Sequence, residues 1–185
     1  LAAEGSCTIG GNLSTNAGGT TAVNGGTVTT TGNQTYGDAV TMNQATTLTT
    51  TGGGSAVSFG NNVTNTLAGA SITVNTPALS LANGSTVATT GNGDIHFIVD
   101  GLTPGTASIN AGTGTFQIQP STPTKTIEYG DVDTARVTDV YYGSTFTNIT
   151  AGQFTIGGAT QTGDIFVTGV AAAPAATTLQ TTGTG

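Results

Sequence analysis

The sequence predicts an all-β fold, a right-handed parallel β-helix (β-solenoid) of roughly eight coils with about 20–25 residues in each coil. The first observation is a repeat, because the segment 27–32 (TVTTTG) recurs further along the chain as the segment 47–52 (TLTTTG). The second is apolar alternation at i and i+2, as in Val57 and Phe59, which places one side of each short strand inward. The third is the frequency of Gly, Asn and Asp between strands, because these residues accept the positive φ angles of tight turns.

A strand with a single apolar side cannot bury that side alone. Stacking of successive repeats solves the problem, because like residues then lie over like residues around a thin apolar core. Threonine, which is more frequent than the 30 glycines, suits such a stack. Its branched side chain favours strands, and its hydroxyl group can bond to its counterpart in the next coil.

Alternation also predicts which side chains point inward. Ile95, Phe97 and Val99 form the most apolar strand, which leaves His96 facing outward. Pro77 cannot donate a hydrogen bond to a strand ladder, so it is predicted at a corner or at the first residue of a strand. Further residues predicted to point inward are Val23, Val28, Val40, Leu48, Val57 and Ile118.

The chain divides into four segments on its residue pattern. Residues 1–12 are predicted to be a lead-in, and residues 13–119 regular solenoid repeats. Residues 120–126 contain two prolines and are predicted to form a wide loop within one domain. Residues 127–185 continue the solenoid with an acidic, loop-rich segment.

Composition excludes several classes of function. The net charge is −7 and the strong cations are Lys125 and Arg136, so no basic stripe exists for nucleic acid. No apolar run is long enough to span a bilayer, which predicts no membrane insertion. No cofactor and no metal cluster is predicted, because a single His offers little to a metal. The single Cys7 is interpreted as a spare thiol, with a disulfide to a neighbouring subunit as the alternative.

The repeats resemble a known family. The segments 32–41 (GNQTYGDAVT) and 46–51 (TTLTTT), followed by 57–59 (VSF), are similar to the repeat region of filamentous-haemagglutinin-like proteins. These are large secreted bacterial adhesins, mostly exported by two-partner secretion, and the likeness extends over most of residues 11–185. The resemblance implies a structural segment of an extracellular adhesin or surface filament, secreted or displayed on the bacterial surface, without catalysis.

A carbohydrate-binding or carbohydrate-active β-helix module is the alternative, and it would use the segment 128–142. Asp131 and Asp133 lie at i and i+2, so a strand would place both carboxylates on one side, as candidate Ca²⁺ ligands or as an acid and base pair. Tyr129, Tyr141 and Tyr142 would supply an exposed aromatic platform for a sugar ring.

An ice-binding solenoid is a further alternative. Flat Thr-x-Thr rows can order water, and the pairs Thr27/Thr29, Thr47/Thr49 and Thr49/Thr51 have the required spacing. The pattern is expected to lapse after Thr51, which counts against this interpretation.

The two ends of the stack are expected to be uncapped. An end coil with few charges exposes unpaired backbone groups, as an edge strand does. The sequence therefore predicts end-to-end self-association or continuation into a longer chain, with host or matrix glycans as possible further partners.

Overall fold

The structure is a computed structural model that describes residues 2–3, 5–130, 139–143, 148–168 and 176–183. Within these residues every regular element is a β-strand, and no helix is long and apolar enough to cross a bilayer. The strands, in chain order, are β1 (Ala2–Ala3), β2 (Ser6–Ile9), β3 (Leu13–Thr15), β4 (Thr20–Val23), β5 (Thr27–Thr30), β6 (Gln34–Tyr36), β7 (Ala39–Met42), β8 (Thr46–Thr50), β9 (Ala56–Phe59), β10 (Val63–Asn65), β11 (Ile72–Leu81), β12 (Thr86–Thr89), β13 (Ile95–Thr103), β14 (Ser108–Asn110), β15 (Thr115–Gln119), β16 (Ile127–Gly130), β17 (Val140–Gly143), β18 (Ile149–Thr150), β19 (Gln153–Gly157), β20 (Ile165–Thr168) and β21 (Ala176–Gln180).

These strands pair in parallel with strands one coil away and form a β-solenoid of about seven turns, which confirms the predicted fold class. Its right-handed sense stays a prediction. We call the sheet β2-β5-β8-β11-β13-β15-β19-β21 the first face and the sheet β1-β4-β7-β10-β12-β14-β18 the third face. The second face contains β3, β6, β9 and the second halves of β11 and β13, and the sheet β17-β16-β20 continues it. Below, "above" means towards later coils.

The first and second faces meet at a bend within β11. Its first half pairs with β8 and its second half with β9. The alternation of buried residues changes phase at Pro77, which confirms the prediction of a corner for this residue. A proline fits there because it has no N–H group to contribute to a continuous ladder.

Inward side chains stack in columns along the axis. The predicted inward strand is confirmed, because Ile95, Phe97 and Val99 are fully buried while His96 is half-buried on the outer side. The other predicted inward residues are all buried. One column on the first face consists of Cys7, Val28, Leu48, Val74, Phe97, Ile118, Ile156 and Leu179.

Aromatic rings pack against one another within the core. The Phe116 ring lies 5.3 Å from the Phe97 ring, edge to face, and 5.4 Å from the Phe154 ring, in a parallel stack. Tyr36 and Phe59 stack in the same way on the second face at 5.4 Å. Such pairs contribute roughly 0.5–1.5 kcal/mol each beyond the area that they bury.

Coil length varies more than the sequence repeat suggests. Val28 and Leu48 are register partners, at the spacing that the repeat predicts. The next coil, from Leu48 to Val74, is longer than the repeat, and the coil from Ile118 to Ile156 is longer still.

The longest coil contains an inserted strand. The next described strand after β16 is β17, which pairs with β16 in parallel and contacts β13. The hydroxyl group of Tyr142 in β17 donates a hydrogen bond to the carbonyl oxygen of Val99 in β13. β17 therefore lies between β13 and β16, so the second face has two strands where the first face has only β15.

Adjacent coils approach so closely at some corners that only glycine fits. A Cβ atom on Gly93 would lie 2.1 Å from the carbonyl oxygen of Ala70, in the coil below. At Gly54 a Cβ atom would meet nothing within 4 Å, but the φ angle of +76° in this turn is one that residues with a side chain rarely adopt. The abundance of glycine thus has two causes, close packing of coils and tight turns.

Candidate functional site

Two rows of outward side chains run up the first face, with one residue of each row in every coil. Over the first four coils every position in both rows carries a hydroxyl or carboxamide group. The row nearer the start of each strand consists of Ser6, Thr27, Thr47 and Thr73. The row nearer the end of each strand consists of Thr8, Thr29, Thr49 and Asn75. In the fifth coil His96 and Ile98 take these positions and end the pattern. We call these eight residues the hydroxyl lattice.

The hydroxyl groups of the lattice differ from those of other threonines. Threonines that point inward or lie at corners donate to nearby carbonyl groups, as Thr30 does to Gly32 at 2.6 Å and Thr46 to Gln44 at 2.9 Å. Within the part of the chain that the structure describes, the side chains of the lattice make no hydrogen bond to another residue. Their hydroxyl groups therefore face solvent with their bonding capacity unused.

The structure places two of the three predicted threonine pairs side by side, since Thr27/Thr29 and Thr47/Thr49 are register partners. Thr51 is exposed but lies beyond the end of β8, and its hydroxyl group donates to the carbonyl oxygen of Thr30. The Thr-x-Thr motif lapses after Thr51 as expected, because the next coil carries Thr-x-Asn on this face, but polar side chains continue there for one more coil. Thr73 and Asn75 lie directly above Thr47 and Thr49, and the sequence conceals this because the intervening coil is longer.

Two further segments are placed differently from what their sequences suggest. The segment 86–91 echoes the threonine repeat in sequence, but it contains β12, which belongs to the third face. Ser6 and Thr8 lie in the predicted lead-in, yet β2 pairs in register with β5. Alignment of Cys7 with Val28 in the sequence, as inward residues of adjacent coils, would have placed Ser6 and Thr8 beside Thr27 and Thr29.

The predicted aromatic platform is wrong for two of its three rings. Tyr129 and Tyr142 are buried, with 3% and 1% of their surfaces exposed, because both occupy inward positions of the inserted strand pair. Burial raises the pKa of both phenol groups, and the charge of Asp100 adds to the effect on Tyr142. Tyr141 is 40% exposed, and its hydroxyl group donates to the carbonyl oxygen of Gly130 at 2.7 Å. The carbohydrate alternative stays a prediction, but of its three proposed aromatic residues only Tyr141 is exposed.

The predicted acidic site falls largely outside the described residues. Asp131 and Asp133, the candidate calcium ligands, both lie there. Glu128 is buried, and its carboxylate accepts a hydrogen bond of 3.2 Å from Thr168. Asp139 is exposed and accepts bonds from the backbone and side chain of Thr126. Among the described residues, no three His, Cys, Asp or Glu side chains come together as a metal site.

An ion pair fixes the proline-containing loop to the coil below. The Lys125 ammonium lies 3.0 Å from the Asp100 carboxylate, which also accepts a hydrogen bond from the Thr122 N–H. Burial acts to raise the pKa of the Asp100 carboxyl group, but the hydrogen bonds from Lys125, Thr122 and Ser121 outweigh it. The pKa of Asp100 therefore lies below its ordinary value.

Asparagine and aspartate side chains link successive coils at the corners. The Asn62 amide oxygen accepts a hydrogen bond of 2.9 Å from the backbone N–H of Thr86, in the coil above. Corner N–H groups that the sheets leave unpaired are satisfied in this way. The same bond, from an Asx oxygen to a backbone N–H in the next coil, is made by Asn12, Asn33, Asn83, Asn92, Asp94 and Asp100.

The last described coil exposes part of the apolar interior. Leu179 continues the inward column above Ile156, yet 48% of its surface is exposed. Val167, the register partner of Tyr129, is 51% exposed. A groove of about 440 Å³ beside Leu179 is lined also by Ile165 and Phe166.

The lone Cys7 lies at the other end of this column. It is partly buried below Val28 and packs against the core. Its pairing with a neighbouring subunit stays a prediction.

Comparison of the chain with protein-family models, with curated proteins and with solved structures gave no match. The resemblance to filamentous-haemagglutinin-like repeats therefore stays a prediction from the sequence, and so does the expectation that the chain is not an enzyme.

Proposed function

We propose that the chain is a structural segment of an extracellular bacterial adhesin or surface filament, which acts through stacking of solenoid coils and adhesion of its outer faces, without catalysis. The observation that carries the proposal is the in-register stacking from β2 to β21 along one sheet. Such a stack separates its two ends by several strand spacings of roughly 4.8 Å each, and its cross-section repeats at every coil. A rigid spacer or display rod needs this geometry.

The interior and the surface both favour a structural role. A cavity beside Leu81 and Leu102 has a volume of about 10 Å³, too small for a substrate. The outer rows are dominated by neutral Thr, Ser, Asn and Ala side chains, which suit contact with a neutral partner. Host or matrix glycans fit this description, and secretion to the bacterial surface, which the repeat style supports, would place the chain beside them.

The exposed apolar end supports extension of the stack along the axis, either by a second copy or by continuation into a longer chain. Within the described residues β21 pairs on one side, with β19, and β2 on one side, with β5. If β2 of a second copy continued the sheet above β21, Cys7 of that copy would extend the inward column above Leu179. Head-to-tail contacts of this kind are heterologous, and their repetition gives an open filament.

The test is the mass of the purified 185-residue chain in solution across a range of concentrations, together with electron microscopy of the native assembly. We expect Leu179→Lys to abolish concentration-dependent growth, because a charge would be buried at the junction. Leu67→Lys is the matched control, because Leu67 is equally exposed (46%) but lies in a turn at the side of the stack. A chain that stays monomeric at high concentration, with a native parent no longer than these residues, would sink the proposal.

A further inference from the structure

The hydroxyl lattice repeats in two dimensions. Register partners such as Thr29 and Thr49 lie one strand spacing apart, which is roughly 4.8 Å. Residues at i and i+2, such as Thr47 and Thr49, are about 6.6 Å apart along the strand. The first four coils therefore present hydroxyl and carboxamide groups on a regular two-dimensional grid.

The grid is ordered before any partner arrives. The side-chain χ1 angle of threonine is restricted by branching at Cβ, and each lattice threonine has in-register neighbours in the adjacent coils. The hydroxyl groups carry no internal hydrogen bond within the described residues, so a partner does not have to displace one. Binding to such a surface loses little side-chain entropy.

The chemistry of the lattice restricts the partner. None of its eight residues is charged, which disfavours a charged polymer. None is aromatic, so there is no ring on which a sugar could stack. What remains is a grid of small polar groups and methyl groups, which suits a solid whose surface repeats oxygen atoms in two dimensions.

We propose that the hydroxyl lattice binds the surface of crystalline ice. The grid is regular in both directions, so the threonine hydroxyl groups can take up positions of water molecules in a lattice that repeats in two dimensions. The methyl groups sit between them and hold neighbouring water molecules in cage-like order. Ice binding does not depend on the structural role proposed above, because one folded copy carries the whole grid.

The limits of the grid are set by the chain itself. Ile98 replaces Asn75 and His96 replaces Thr73 in the fifth coil, so the surface ends there. The second face has one outward hydroxyl row, in which Thr35 and Ser58 are register partners. A single row gives a line and not a grid, so the second face serves as an internal control.

The experiment compares two double variants of matched charge. Thr29→Lys with Thr49→Lys disrupts the lattice, and Thr35→Lys with Ser58→Lys makes the same change in adjacent coils of the second face. Partition of each protein into a growing ice front and inhibition of ice recrystallisation are measured, with circular dichroism to verify the fold. We expect the natural chain and the second-face variant to enter the ice and slow recrystallisation, and the lattice variant to lose both effects.

If the lattice double variant does not fold, Thr73→Lys replaces it, with Ser80→Lys on the same strand but on the second face as its control. Exclusion of the natural chain from ice overturns the proposal, as does equal loss in lattice and control variants. A parallel binding assay on crystalline cellulose tests a polysaccharide surface as the alternative partner of the lattice. Binding to cellulose without any effect on ice would assign the grid to a polysaccharide surface and overturn the proposal.

Discussion

Thr50 and Thr76 share a hydrogen bond of 2.7 Å between their side-chain hydroxyl groups inside the solenoid. Thr76 is fully buried and Thr50 is 6% exposed. The Thr76 hydroxyl group also lies 3.2 Å from the carbonyl oxygen of Ala78 and 3.3 Å from that of Ser55. Because a hydroxyl group has one proton, Thr76 donates to a carbonyl while it accepts from Thr50. A pair of hydrogen-bonded hydroxyl groups thus links two adjacent coils inside the core.

Replacing one threonine of this pair should lower the free energy of unfolding more than replacing both threonines. Thr76→Val leaves the buried Thr50 hydroxyl group without its acceptor, which is expected to lower the free energy of unfolding by about 1–3 kcal/mol. Thr50→Val with Thr76→Val removes both groups and should recover much of that loss. Urea unfolding of the natural chain, both single variants and the double variant measures the coupling. Additive losses would show that the two hydroxyl groups act independently.

Truncation of the central ring should be severe. Phe97 is fully buried against Phe116, and Phe97→Ala is expected to lower the free energy of unfolding by about 3–5 kcal/mol because it leaves a cavity. His96→Ala, on the outer side of the same strand, is the control and should change stability little. An unchanged melting temperature for Phe97→Ala would mean that the inward side has been misassigned.

The corner bonds between coils should depend on an oxygen acceptor and not on the amide as a whole. Asn62→Ala removes the acceptor of the Thr86 N–H and is expected to destabilise the chain by roughly 1 kcal/mol. Asn62→Asp keeps an oxygen in the same place and should stay close to the natural stability. Hydrogen exchange of the Thr86 amide reports the bond directly. Equal exchange rates in the alanine and aspartate variants would refute the acceptor role.

Acid should weaken the link between Asp100 and Lys125. Since the folded-state pKa of Asp100 lies below its ordinary value, its contribution to stability is present above about pH 4 and is lost as the pH falls through the folded pKa. Asp100→Asn should therefore be less stable than the natural chain at pH 7, with a difference that shrinks on acidification. Melting temperatures from pH 7 to pH 2 test this, with the exposed Asp164→Asn as control. A stability difference between Asp100→Asn and the natural chain that stays constant from pH 7 to pH 2 would contradict the lowered pKa of Asp100.

Local alternation was sufficient to predict the fold and much of the core. Pairs such as Val57 and Phe59 have one inward side in any strand register, so their burial follows from period-two patterning alone. The register between coils was predictable only where coils have equal length, as between Val28 and Leu48. Thr73 escaped prediction because its coil is longer, and Tyr129 and Tyr142 because β17 folds back beside β16. Sequence spacing does not report such a non-sequential strand order.

The inserted strand β17 has a mechanical consequence. Between β13 and the coil of β19 and β20, the second face holds two strands and the first face one, a difference in height of roughly 4.8 Å. This wedge has to be taken up by splaying of the second face or by a bend of the axis away from it. A rod that takes up the wedge by bending would carry a fixed kink at this level, and the direction in which its upper coils point would be set by the strand pair β16 and β17.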